Sequence, residues 1–248
     1  MRVLLGSGGF RTDERRALLA DEMKQHFGEI GRLLFVPYAL ADHDGYLRLI
    51  VERGLDAGYR LDGIHTHSDP KKAILEAEGL FVGGGNTFRL LSELYRLDLL
   101  DVIRQHVRVG LPYLGISAGS NVACPTMQTT NDMPIVQPPS FAALGLVPFQ
   151  INPHYFTGAT FVKVGDDYIE HFGETRDDRI REYHEMNDTP VIGLWEAGLI
   201  RWDGGSGTLV GAAARVLHKG QEPIDWPPGM TFEADQGTDG RVILHQTG

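Results

Sequence analysis

Apolar runs of strand length alternate with amphipathic stretches of helical period through the first half of the chain. Residues 2–9, "RVLLGSGG", form an apolar run that ends in glycines, which is typical of a buried strand leading into a turn. Residues 12–28 follow, with good cap residues at Thr12 and Asp13 and apolar side chains at helical spacing. These apolar side chains are Leu18, Leu19, Met23 and Phe27. The pattern predicts one β-α unit.

The same alternation recurs as far as residue 120. A strand run at 32–39 precedes a helical stretch at 42–59, and residues 77–110 repeat the pattern with a longer helix. Residues 111–120, "LPYLGISAGS", add a fourth strand. Strands that alternate with helices favour an α/β fold, in which a mainly parallel sheet is sandwiched between helices.

The pattern changes from about Pro190 onward. Runs of β-type residues alternate there with the turn sequences "DGGSG" and "TDG", which predicts C-terminal β-hairpins that extend or edge the sheet. No proline-rich or serine-rich linker and no repeat separates the two halves of the chain. We therefore expect residues 1–248 to form a single domain.

Composition narrows the choice of partners. Of the 248 residues, 42% are hydrophobic, which is enough for a buried core. The formal net charge is -10 and the basic residues form no run, so nucleic acid and anionic membranes are disfavoured as partners. The single cysteine, Cys124, can form neither an intramolecular disulfide nor a thiolate metal site. Because no long apolar segment is present, we expect a cytoplasmic protein.

The candidate chemistry begins at a G-x-S-x-G sequence formed by Gly115, Ser117 and Gly119, directly after the predicted strand "PYLGI". A serine hydroxyl is a weak nucleophile at neutral pH. It needs an exposed position on a tight turn, a base, a group that orients the base, and donors for an oxyanion. The strand-turn-helix context of Ser117 fits the first requirement. Because the chain contains 31 glycines, a purely structural turn is the alternative interpretation.

Donors for an oxyanion are predicted at two places. One is the backbone N–H of Ala118, the residue after the serine. The other is the segment "FVGGGNTF", where Gly84 and Gly85 follow a strand and precede a helix that Asn86 or Thr87 could cap. A phosphate-binding turn is the alternative here. It is disfavoured because the sequence has no Walker lysine and no complete G-x-G-x-x-G.

The candidate base is His154, one of ten histidines, because it follows an apolar run and a proline in "FQINPHYFTG". Two carboxylates could orient it. Asp132 lies in "TTNDMPIV", a run expected to be buried, and Glu196 follows a strong β run in "VIGLWEAG". Either could instead be an ordinary turn residue, so the sequence leaves this choice open.

Five motifs in order, "GGGNTF", "GISAGSN", "TTNDMPIV", "INPH" and "GETR", resemble the peptidase E or alpha-aspartyl dipeptidase family of serine peptidases. The resemblance covers roughly residues 80 to 200. It implies a class I glutamine amidotransferase-like fold and the cleavage of dipeptides that begin with aspartate. The serine mechanism is expected to require no cofactor and no metal. It also implies a cytosolic protein that is either a homodimer or a monomer.

The resemblance assigns roles residue by residue. Ser117 is the nucleophile and His154 the general base, while either Asp132 or Glu196 completes the triad. Glu196 is favoured because it closes a strand. Arg176 of "GETR" pairs with the aspartyl carboxylate of the substrate, which suits a guanidinium because it binds carboxylates through two parallel hydrogen bonds. Asn86 is implied to hold the polar end of the substrate.

A long segment after His154 leaves the specificity open, and the serine motif leaves other functions open. The segment between His154 and Arg176 is longer than the resemblance leads us to expect, and its extra residues "ATFVKVGDDYIE" could reshape the specificity pocket or form a subunit contact. The serine motif also suits a cyanophycinase-like hydrolase of β-aspartyl-arginine, or an α/β binding protein in which Ser117 and His154 never meet. A cysteine-based amidotransferase is disfavoured because the turn carries a serine.

Overall fold

Strands and helices alternate along the chain as far as Ala123, and strands predominate after it. The computed structural model describes residues 1–158, 160–171 and 173–247, which form fifteen strands and seven α-helices. The strands are β1 (Arg2–Gly6), β2 (Arg32–Val36), β3 (Arg60–Gly63), β4 (Leu80–Val82), β5 (Tyr113–Ile116), β6 (Gln150–Pro153), β7 (Thr160–Val164), β8 (Asp167–His171), β9 (Val191–Leu194), β10 (Leu199–Asp203), β11 (Ser206–Val210), β12 (Ala214–Leu217), β13 (Ile224–Trp226), β14 (Thr231–Gln236) and β15 (Val242–Gln246). The helices are α1 (Asp13–Phe27), α2 (His43–Glu52), α3 (Pro70–Leu75), α4 (Thr87–Arg96), α5 (Leu100–Arg108), α6 (Ala118–Ala123) and α7 (Arg176–Met186).

The largest sheet has nine strands in the order β15-β14-β11-β10-β1-β5-β4-β2-β3. Strands β1 to β5 are parallel to one another, as the β-α alternation predicts. The other four are antiparallel, and β10–β11 and β14–β15 are hairpins. The predicted C-terminal hairpins are therefore confirmed. They extend the sheet outward from β1.

Helices cover both faces of the parallel strands because the strand side chains alternate in direction. Leu4 faces a core cluster with the apolar side chains of α1 and α2, whereas Val3 and Leu5 face a second cluster with those of α3, α4, α5 and α6. The predicted sandwich of a sheet between helices is thus confirmed. In the part of the chain that the structure describes, every helix is too short or too polar to cross a membrane.

Two predictions about elements in the first half of the chain were wrong. The sequence reading missed β3 and α3, so residues 111–120 contain the fifth strand of the chain and not the fourth. The long helix expected within residues 77–110 is two helices, because Asp98 takes the left-handed backbone conformation, with a φ of 53°, between α4 and α5. Aspartate tolerates this conformation better than most residues do.

A second sheet carries part of the C-terminal half, in the order β13-β12-β9-β6. Strands β6 and β9 are parallel, with Pro153 paired to Leu194. This sheet packs one face on the main core and the other against α7, through Ile180 and Tyr183. The sequence reading expected the strands after Pro190 to join one sheet, but β9, β12 and β13 belong to the second.

Within the long segment between His154 and Arg176, the described residues 160–171 form a separate hairpin, β7–β8. All five residues of β8 are exposed, and so are Phe161 and Val164 on β7. Cys124 is buried, and burial raises the pKa of its thiol to about 12. It lies one residue beyond the end of α6.

Candidate active site

Ser117 forms the turn between β5 and α6. Its φ is 54° and its ψ is -108°, a conformation that non-glycine residues rarely adopt and that costs roughly 1 to 3 kcal/mol. The turn is held by a hydrogen bond from the Ser117 N–H to the carbonyl oxygen of Gly6, at 2.8 Å. The serine therefore occupies a strained turn at the carboxyl end of a parallel strand, where α/β folds bind their ligands.

The glycines on either side of Ser117 are required by close backbone contacts. A Cβ atom on Gly115 would overlap the carbonyl group of Gly119, and one on Gly119 would overlap the carbonyl oxygen of Val82. Neither obstacle is a flexible side chain that could turn aside. The G-x-S-x-G spacing thus reflects the tight packing of α6 between β4 and β5.

We predict that Gly119→Ala lowers the free energy of unfolding by about 2 kcal/mol or more, because the new methyl group meets backbone atoms in a packed core. The measurement is urea-induced unfolding followed by circular dichroism. Gly31→Ala is the matched control, since a Cβ at that position has no neighbour within 4 Å. Equal unfolding midpoints for the two variants would contradict the packing argument.

His154 follows the last residue of β6 and adopts a φ of 54°. Its backbone N–H donates to the buried hydroxyl of Ser7, at 2.7 Å, and its Nε2 lies 2.8 Å from Ser117 Oγ. A Cβ atom on Gly8 would come within 2.7 Å of the imidazole ring. The turn after β1 therefore leaves space for the ring and anchors its backbone.

Glu196 lies in the turn after β9, next to His154 because β6 and β9 are neighbours. Its Oε1 is 2.9 Å from His154 Nδ1. The N–H of Ala197 donates to the Gly8 carbonyl at 2.7 Å, and a Cβ on Gly9 would overlap the Glu196 carboxylate. A continuous chain of hydrogen bonds thus joins the serine, histidine and glutamate side chains.

Asp132, the other candidate carboxylate, does not contact His154. Its Oδ2 accepts hydrogen bonds from the N–H and hydroxyl of Thr87, at 2.8 and 2.6 Å, and lies 2.9 Å from Thr130 Oγ1. The expectation that its run is buried was wrong, since Met133 and Ile135 are 76% and 54% exposed. Asp132 instead ties this loop to the start of α4, directly after the glycine-rich segment.

The predicted oxyanion donors lie beside Ser117. Ala118 is the first residue of α6, where backbone N–H groups have no acceptor within the helix. Gly84 is close enough that a Cβ there would be 3.1 Å from Ser117 Cβ. Gly84 and Gly85 line the same cavity as Ser117 and His154. The arrangement can support acyl transfer, with a nucleophile, a base and backbone donors around one point.

Arg176 is the first residue of α7, a helix that begins with a capping box formed by Thr175 and Asp178. Its Nη1 donates to Asn131 Oδ1, and the Asn131 amide donates to the carbonyl oxygen of Pro153. The guanidinium is therefore linked through one side chain to the residue that precedes His154.

The Arg176 side chain has no carboxylate partner among the described residues, and its buried Nε has no hydrogen-bond acceptor. The carbon atom Cζ lies 5.4 Å from the centre of the Phe156 ring. Burial, and to a lesser degree the nearby Arg179, lower the pKa of the Arg176 guanidinium. An anion that reached this cation would stabilise its charged form.

Asn86 has a structural role at the N-terminus of α4. Its Oδ1 accepts from the N–H of Arg89 at 3.0 Å, and its Nδ2 donates to the carbonyl oxygen of Met133 at 2.9 Å. It therefore caps the helix, as the sequence predicts. Its contact with substrate stays a prediction.

One group of side chains in the described part of the chain has the spacing of a metal site. Glu233, Asp235 and His245 lie on the β14–β15 hairpin at the outer edge of the large sheet. The two carboxylates are exposed, and the group belongs to different elements from Ser117 and His154. It has no contact with the serine-histidine-glutamate chain.

Sequence reasoning missed four residues that shape the site, namely Ser7, Gly8, Gly9 and Asn131. The glycine-rich turn at residues 6–9 follows a parallel strand, so it carried a signal of the same kind as the segment at 83–85. Asn131 carried no such signal, because its importance depends on two residues that are distant in sequence, Pro153 and Arg176.

The sequence matches a family of known proteins over most of its length. The sequence model of peptidase family S51 matches residues 3–210. A peptidase E of Streptomyces coelicolor is 51% identical over 199 residues, which is 80% of this chain and 79% of that protein. A probable alpha-aspartyl dipeptidase of Drosophila melanogaster is 45% identical over 224 residues, 89% of this chain and 90% of that one.

Two solved structures share the fold. A putative peptidase E from Listeria monocytogenes EGD-e has a TM-score of 0.59 and 21% identity, and covers 91% of this chain and 98% of its own. A peptidase from an acI-B1 actinobacterium has a TM-score of 0.63 and 15% identity. The match covers 94% of this chain and 96% of that one. With its sequence matched over most of its length and a serine-histidine-glutamate chain at the carboxyl ends of its strands, the protein belongs to peptidase family S51.

Proposed function

We propose that this enzyme hydrolyses dipeptides that begin with aspartate, through Ser117 as nucleophile, His154 as general base and Glu196 as the carboxylate that orients the imidazole. The observation that carries the proposal is the hydrogen-bonded chain from Ser117 Oγ to Glu196. The names of relatives add to it, since they include a probable alpha-aspartyl dipeptidase and two peptidases E.

The mechanism follows from these positions. Ser117 Oγ attacks the peptide carbonyl carbon while His154 Nε2 accepts its proton. The N–H groups of Ala118 and of Gly84 or Gly85 stabilise the oxyanion. When the C–N bond breaks, His154 gives its proton to the leaving amine, and an acyl-enzyme is left. Water then attacks with the same base, which releases aspartate and restores the serine.

Aspartate specificity would come from Arg176. The chain has a net charge of -10 and does not attract an acidic substrate at long range, so a local cation is required. Arg176 is half-buried and has no described carboxylate partner. A substrate carboxylate would satisfy both its charge and its unpaired Nε.

The test is hydrolysis of Asp-Leu, Glu-Leu, Ala-Leu and β-Asp-Arg by the purified enzyme, with and without EDTA. We expect Asp-Leu to be cleaved fastest and EDTA to have no effect. Preferential cleavage of β-Asp-Arg would replace the proposal by a cyanophycinase-like activity. Absence of hydrolysis with all four substrates would contradict the proposed function.

The choice between the two carboxylates yields a separate prediction. Glu196→Gln should lower kcat/KM about 1,000-fold or more, because the amide no longer stabilises the imidazolium formed during attack. Asp132→Asn should reduce chiefly the unfolding free energy, by about 1 to 3 kcal/mol, since it weakens the hydrogen bonds to Thr87. Kinetics and urea unfolding of both variants provide the measurement. The opposite pattern would make Asp132 the catalytic partner.

A further inference from the structure

A cavity of about 580 Å³ extends from the catalytic serine and histidine towards α1 and α2. Its volume lies in the range of small-molecule sites, roughly 300 to 1,000 Å³. Ser117, His154, Gly84 and Gly85 line it, whereas Arg176 and Asn131 do not. The cavity and the Arg176 region are therefore different parts of the site.

The inner wall of the cavity is apolar. It is formed by side chains of α1, of α2, of the strands beneath them and of the loops after β1 and α2, and several belong to the core cluster on that face of the sheet. These residues are Phe10, Leu19, Tyr46, Leu49, Ile50, Leu55, Phe81 and Ile116. Burial raises the pKa of Tyr46 to about 12, so its phenol stays neutral at physiological pH. Such a wall favours an aliphatic or aromatic group.

Three arginines and no acidic residue complete the lining. Arg16 is already engaged, with Asp13 and with the carbonyl oxygen of Arg11. Arg11 and Arg53 are exposed, and neither side chain has a hydrogen-bond or ion-pair partner among the described residues. Two arginines without a counter-ion on the lining of one cavity, in an acidic protein, indicate an anionic ligand.

The second residue of a dipeptide has both properties that this cavity selects. Its side chain and its terminal carboxylate are attached to the same Cα, next to the nitrogen that His154 protonates. We propose that the cavity binds the leaving residue of the substrate, an apolar amino acid whose carboxylate is held by Arg11 and Arg53. This inference rests on the proposed function. The enzyme is then selective at both ends, for aspartate at the first position and for an apolar residue at the second.

The first experiment compares kcat/KM for Asp-Leu, Asp-Phe, Asp-Gly, Asp-Glu and Asp-Leu amide. We expect Asp-Leu and Asp-Phe to exceed Asp-Gly and Asp-Glu by about 10- to 100-fold, because burial of a large apolar side chain is lost in the other two. The amide should be poorer than Asp-Leu by about 10- to 100-fold, because it lacks the charge-assisted hydrogen bonds. Equal values for all five would overturn the inference.

Variants test which residues cause the preference for a free carboxylate and the preference for an apolar side chain. The double variant Arg11→Gln/Arg53→Gln should hydrolyse Asp-Leu and its amide with similar kcat/KM, whereas Arg48→Gln, an exposed arginine of α2 outside the cavity, should keep the discrimination. Leu49→Asp should abolish the preference for Asp-Leu over Asp-Gly. Its control is Leu47→Asp, which changes a half-buried residue of the same helix that does not line the cavity.

A binding measurement separates this inference from the proposed function. L-leucine should bind to the Ser117→Ala enzyme in a calorimetric titration, L-leucinamide should bind at least about tenfold more weakly, and the Arg11→Gln/Arg53→Gln substitutions should remove the difference. This result would stand even if aspartyl dipeptides were not substrates. If the double variant instead lost discrimination between Asp-Leu and Ala-Leu, the cavity would bind the first residue and the inference would be wrong.

Discussion

Replacing Ser117 by alanine is expected to abolish peptide hydrolysis, with kcat/KM for Asp-Leu lowered by about 10,000-fold or more. The hydroxyl is the only group at this point of the site that has both a base at 2.8 Å and a position on the strained turn, within the described residues. Activity is measured by release of free leucine. Alanine at this position keeps the backbone and should keep the fold, which circular dichroism checks.

Labelling with a fluorophosphonate provides the control for Ser117. The reagent should modify Ser117 in the native enzyme, and His154→Ala should suppress the modification, because the serine then has no base. Unchanged hydrolysis in Ser117→Ala, or labelling that does not need His154, would contradict the role of this pair. Absence of both hydrolysis and labelling in the native enzyme would favour a binding protein.

Replacing Arg176 by glutamine is expected to lower kcat/KM for Asp-Leu by about 100-fold or more. The substrate carboxylate would lose its ionic partner in a half-buried site, and such losses cost about 2 to 5 kcal/mol. The ratio of kcat/KM for Asp-Leu to that for Ala-Leu should fall by a similar factor. Arg176→Lys should recover only part of it, since an ammonium cannot form two parallel hydrogen bonds.

Arg179→Gln is the matched control for this prediction. Arg179 lies one turn further along α7, is exposed, and forms an ion pair with Glu174. Its replacement should leave the preference for aspartate close to that of the native enzyme. Equal effects of the two substitutions would show that Arg176 acts only through the general positive potential of the helix, and would remove the basis for aspartate specificity.

The hairpin β7–β8 lies in the chain between His154 and Arg176, the residue to which we assign the preference for aspartate. The sequence suggested that these extra residues could reshape the specificity pocket. They form strands of their own, while Arg176 is held by the α7 capping box and by Asn131. The position of the guanidinium therefore depends on α7 and the adjoining loop.

Local signals in the sequence determined most of the parallel half of the fold and the position of Ser117 in its strand-turn-helix unit. Apolar runs, cap residues and glycine turns act over a few neighbouring residues, so the strand-turn-helix unit around Ser117 could be predicted directly. The same signals were weak at β3, whose sequence "RLDG" is largely polar. They were misleading at Asp98, because the apolar positions on both sides suit one long helix.

Only the tertiary structure decided which carboxylate faces His154. Asp132 precedes His154 by many residues and Glu196 follows it by many. In the sequence, either carboxylate could orient the imidazole. The pairing of β6 with β9 brings the ends of those strands together, and with them His154 and Glu196. Strand order and register depend on packing between distant segments, which no local pattern specifies. The same reason hid the contribution of Asn131, and the cavity between α1, α2 and Ser117.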